Sequence, residues 1–129
     1  LSDSEWENGD CYFYVAEISG GLIKPGIALN PEVRADDQYL EFLFVSPKLC
    51  RAEAWTIEQY ILRETSFATP KLIPEALVDW DGKSELRDPE YLETVWIIQR
   101  FNELLEAMEE VGWLEVFNKL ALDEESRSS

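Results

Sequence analysis

Histidine is absent from this chain, so His-based catalytic triads and His-ligated zinc are excluded at the outset. Carboxylate, Tyr, Lys and Ser remain as the candidate chemistry. Cysteine is scarce: Cys11 and Cys50 are far apart and lack CxxC spacing, which predicts two lone buried thiols rather than a bridge or a metal site. Positive charge is also scarce. Against 27 Asp and Glu stand 11 Lys and Arg, a formal net charge of −16 that favours solubility and opposes a phosphate backbone. No apolar run approaches the roughly 18 residues of a membrane span, and no charged-then-apolar leader precedes Cys11, so a cytoplasmic protein is expected. What is plentiful is apolar and aromatic residues, 46% and 12% of the 129, enough to build a core without disulfides.

The pattern along the chain predicts an α+β domain with a small three-stranded antiparallel sheet flanked by helices and a helical C-terminal extension. Residues 1–9 read as a flexible lead-in, 10–69 as the core, 70–122 as connecting chain plus helices packed on that core, and 123–129 as a polar tail. Cys11–Ile18 is aromatic and β-branched and reads as a strand. Ser19-Gly20-Gly21 then favours a hairpin into Leu22–Ala28, where Pro25 demands an edge or a bulge. Asn30-Pro31-Glu32 starts a short helix: Asn as cap, Pro at the first helical position, an acid in the first turn. Tyr39–Val45 reads as the third strand, and a helix follows over Cys50–Glu64. Asp88-Pro89-Glu90 is expected to open another helix, with Leu92, Val95, Trp96, Phe101, Leu105 and Met108 on its apolar stripe. Gly112 breaks it and Trp113–Leu122 resumes.

Glu58 is the anomaly on the Cys50–Glu64 helix. Its neighbours three and four positions away are Ala54, Trp55, Ile61 and Leu62, all apolar. A carboxylate inside such an arc must be paired, protonated or coordinated. The order of four further features is informative. Phe13-Tyr14 ends the first apolar strand segment, Lys24-Pro25-Gly26 lies ten residues on, Arg34 a further ten, and Glu53-Ala54-Trp55-Thr56-Ile57-Glu58 sits on a helix after the third strand.

In order, spacing and context, residues 10–69 resemble the GIY-YIG nuclease superfamily, with Lys24 standing where the second half-motif usually has Tyr. The resemblance implies a Mg²⁺- or Mn²⁺-dependent endonuclease acting on nucleic-acid phosphodiester bonds. By that likeness Glu58 would anchor the metal and Arg34 would stabilise the phosphoryl group. Tyr14 would position or deprotonate the attacking water, and Lys24 would assist. Gly26 and Arg51 are further candidates for substrate contact. One Glu can suffice for Mg²⁺, which is commonly held by one or two carboxylates plus waters. The chain departs from the family pattern at Pro25, at Ile27 (often basic) and at Thr69-Pro70-Lys71, where an Asn is frequent. An alternative of a different class is a catalytically inactive acidic interaction module on the same scaffold, binding a basic protein partner or a second copy through the 89–122 helices. The enzyme reading expects Tyr14, Lys24, Arg34 and Glu58 to converge on one open face. The module reading expects Glu58 tied off by a basic residue and an exposed aromatic patch.

Overall fold

A computed structural model describes residues 9–18, 21–38, 40–77 and 83–128, with backbone alone at 35–38, 76, 83 and 123–128. The architecture is α+β, as the sequence predicts. Strand β1 (Asp10–Glu17) is central, with β2 (Ile23–Ala28) and β3 (Glu41–Val45) antiparallel on its two sides. A two-residue strand β4 (Leu49–Cys50), not foreseen from sequence, pairs with Asp10 and Cys11. The hairpin from β1 to β2 closes through Gly21, whose φ of 79° suits glycine, with its N–H bonded to the Ile18 carbonyl. Pro25 lies on the edge strand, as its missing N–H requires. Between Val15 and Ala16 the register with β3 shifts by one residue, so Leu43 has no partner across the ladder.

Helix α1 (Pro31–Gln38) starts under the Asn30 side chain, which accepts from the Val33 N–H. Helix α2 (Arg51–Glu64) is opened by a capping box built on cysteine: Cys50 Sγ accepts from Glu53 N–H while Glu53 Oε1 accepts from Cys50 N–H at 3.0 Å. Both cysteines are free thiols. Helix α3 (Thr94–Val111) begins later than Asp88-Pro89-Glu90 suggests. Asp88 instead accepts from the Glu90 and Tyr91 N–H groups, and its own N–H bonds to the Ala68 carbonyl, so the Asp-Pro pair makes a turn leaving the sheet edge. The buried stripe of α3 is Ile97, Phe101, Leu104 and Met108. Val95 and Trp96, expected on that stripe, are exposed. Helix α4 (Trp113–Ser128) follows Gly112 and extends through the polar segment read as a tail.

Alternation along β1 splits the interior in two. Cys11, Phe13 and Val15 face α2, α3 and α4, and Phe101 stacks on Phe13 and meets Phe44 edge-on, both with centroids 5.4 Å apart. Tyr14 and Ala16 face the other way, into a smaller cluster with Leu22, Ala28, Leu40 and Leu86. Among the described residues, no helix is long and apolar enough to cross a membrane.

Candidate functional site

The register between β1 and β2 sets Tyr14 opposite Gly26 and Ala16 opposite Lys24, so Tyr14, Lys24 and Gly26 share one sheet face. Small Ala16 leaves the space into which the Lys24 chain folds back over the Tyr14 ring, its ammonium 5.1 Å from the ring centroid. Lys24 Nζ donates to Tyr14 Oη at 2.9 Å and pairs with Glu85 Oε2 at 3.1 Å. Gly26 lies within β2, inside the strand expected over Leu22–Ala28. A Cβ there would lie 2.5 Å from Tyr14 Oη and 2.7 Å from Lys24 Nζ, so absence of a side chain is what lets phenol and ammonium meet.

Glu58, on α2, accepts a hydrogen bond from Gln59 and is linked to this cluster through charge. Burial raises its pKa to about 7, Glu85 adds to the rise, and Lys24, a hydrogen bond from Gln59 and Arg34 oppose it. Lys24, Arg34 and Glu58 therefore share one electrostatic neighbourhood, to which Tyr14 is joined by the hydrogen bond from Lys24. Arg34 is half-buried on α1. Arg51 opens α2 about two turns before Glu58, and its charge, like that of Glu58, acts on the Cys11 thiol, which burial pushes up. The expected open face is corrected. Tyr14 is fully buried, clustered with Leu86 from the presumed linker, and Glu58 is only 8% exposed.

That segment supplies two residues the sequence reading missed. Ile23 and Arg87 exchange backbone hydrogen bonds, extending the β2 edge, and Leu86 fills the Tyr14 cluster. Arg87, buried, donates to the Leu62, Ser84 and Leu86 carbonyls and to Thr65 Oγ1, fastening the strap to the end of α2. This anchoring sets Glu85 on Lys24. Nothing in the spacing of Lys83-Ser84-Glu85 marks it; a lone Leu-Arg pair inside a polar linker was the available signal.

Solvent reaches the cluster through Glu85, whose side chain is 34% exposed. Along the sheet on the Tyr14 face lies a groove of about 570 Å³, with Tyr12, Phe42 and Val45 as floor and Asn30, Pro31 and Glu32 of the α1 entry as wall. Phe42 touches the Tyr14 ring at 5.3 Å, so groove and cluster are contiguous.

Among the described residues, no group of three or more Cys, Asp or Glu side chains could cage a metal. A hard divalent ion needing one or two carboxylates suits the site all the same. Such an ion would find the Glu58 carboxyl, whose raised pKa comes first from burial and second from the Glu85 charge, with Lys24 and Arg34 opposing. No protein-family model matches the chain, and no curated protein or solved structure matches it at a significant level.

Proposed function

We propose that this chain is a divergent GIY-YIG-type phosphodiester hydrolase acting on nucleic acid. The observation that carries this reading is the meeting of Tyr14 and Lys24 over a glycine that has room for no side chain, with the Lys24 and Arg34 charges both acting on Glu58. Glu58 would hold Mg²⁺ or Mn²⁺. Such an ion, when bound, polarises a phosphoryl oxygen and lowers the pKa of water.

The chain's own groups divide the remaining work. Arg34 offers a planar fork to the phosphoryl oxygens. Lys24 donates into the Tyr14 oxygen and holds the phenol in place, which leaves the phenol's own O–H to donate to a phosphate oxygen. Glu85 occupies on Lys24 the place an anionic phosphate oxygen would take, so substrate binding exchanges one anion for another. Tyr12 and Phe42 in the adjoining groove give bases a surface on which to stack. The −16 charge restricts phosphate contacts to this local cluster.

The test is incubation with plasmid DNA and with single-stranded DNA and RNA, plus Mg²⁺ or Mn²⁺, alongside Glu58→Gln and Arg34→Ala. Cleavage lost in both variants is expected. No cleavage by the wild type, or cleavage indifferent to Glu58→Gln, rules the hydrolase out and leaves the non-catalytic module.

A further inference from the structure

Away from the sheet face just described, three aromatic side chains converge where packing does not require them. Phe67 on the 3-10 turn Ser66–Ala68, Tyr91 in the Asp-Pro turn and Trp96 in the first turn of α3 are 67%, 47% and 38% exposed. With Leu92 and Glu93 they line a pocket of about 260 Å³. Single exposed aromatics are ordinary on a protein surface, but three around one concavity mark a binding site. Glu93 is the N-cap residue of α3, yet its side chain makes no capping hydrogen bond. Its carboxylate is exposed at the pocket instead of being spent on the helix, with exposed Glu90 close by in sequence. The basic residue one helical turn beyond Trp96 is already neutralised: Arg100 is held by both oxygens of Glu64 and lies 3.7 Å from Glu103.

From this arrangement we infer that the Phe67–Tyr91–Trp96–Glu93 pocket binds an arginine side chain on a basic segment of a protein partner. Aromatic faces attract a cation, and a guanidinium can stack flat on indole or phenol while its fork engages a carboxylate. The −16 charge of the chain steers a basic partner toward it and opposes both nucleic acid and a second, equally acidic copy at this place. The pocket is separate from the Tyr14–Glu58 cluster, so the inference stands whether or not that cluster hydrolyses phosphodiesters.

The experiment is fluorescence anisotropy at physiological salt with labelled Arg-Gly repeat peptide, the same peptide with Lys for Arg, and one with Glu for Arg. Proteins compared are the wild type, Trp96→Ala, Phe67→Ala, Glu93→Gln and Glu58→Gln, with melting curves for each. Binding of the Arg peptide is expected to be about tenfold weaker in Trp96→Ala and severalfold weaker in Phe67→Ala and Glu93→Gln. Glu58→Gln should bind as the wild type does, and the Lys peptide should bind more weakly than the Arg peptide. Equal binding of Arg and Lys peptides that ignores Trp96→Ala and Phe67→Ala would mean attraction by net charge alone and overturns the proposal. So would no binding to the wild type, or a dimer in sedimentation that Trp96→Ala dissociates.

Discussion

The two faces of β1 solve different problems with alternate residues of one strand. On one face Phe13 and Val15 meet α2, α3 and α4 in a largely apolar cluster that includes Phe101. On the other, Tyr14 and Ala16 lie against Lys24 and under the strap that carries Glu85, so ionisable groups are taken out of water. Burying charge costs far more than burying a phenyl ring. The lesson of the contrast is that stability resides on the Phe13 face, while the Tyr14 face keeps a costly arrangement that stability alone would not require.

Substitutions can break or sharpen that division. Phe101→Ala strikes the apolar face and removes the ring contacts to Phe13 and Phe44; a loss of about 3–5 kcal/mol is expected in denaturant titration. Glu58→Gln should act in the opposite sense. The ordinary carboxyl pKa of 4.5 in the unfolded chain becomes about 7 in the folded one, so the fold favours the protonated form. Below pH 4.5 both states are protonated and nothing is lost. As pH rises from 4.5 to 7 the unfolded chain releases the proton first, and stability falls by about 3 kcal/mol, the full cost being felt above pH 7. Glu58→Gln should thus be the more stable protein at pH 8, and its lead should vanish near pH 4.

Gly26→Ala comes next. Its methyl would collide with the fully buried Tyr14 hydroxyl, costing about 1–3 kcal/mol and pushing phenol and ammonium apart. Cleavage should fall out of proportion to that modest loss of stability, which a pure packing role would not produce. The smallest effect is expected at the cap of α2, where Cys50→Ala should cost about 0.5–1 kcal/mol and leave cleavage unchanged.

The sequence made local features legible wherever one residue's chemistry forces a structure. Pro25 implied an edge, Asn30-Pro31 a helix start, and the apolar ring around Glu58 a buried carboxyl; each is found. What it could not show depends on contacts between distant segments. Asp88-Pro89 looks like a helix opening, and only the pairing of Arg87 with Ile23 turns it into an exit from the sheet. Trp96 fits a helical stripe by spacing, but the neighbouring row through Ile97 and Phe101 faces the core. Glu85 has no local signature, since its role arises from Arg87 anchoring a strap two residues away. The close approach of Gly26 to Tyr14 depends on the register between their strands, which no local pattern reveals.

The most direct probe of the cluster is the titration of the Glu58 carboxyl followed by carbon NMR, with and without Mg²⁺ at constant ionic strength. A midpoint near pH 7 that moves downward as Mg²⁺ is added is the expected result. A midpoint near 4.5 that Mg²⁺ leaves untouched would contradict the claim that this buried carboxyl is the cation-holding group of a hydrolytic site.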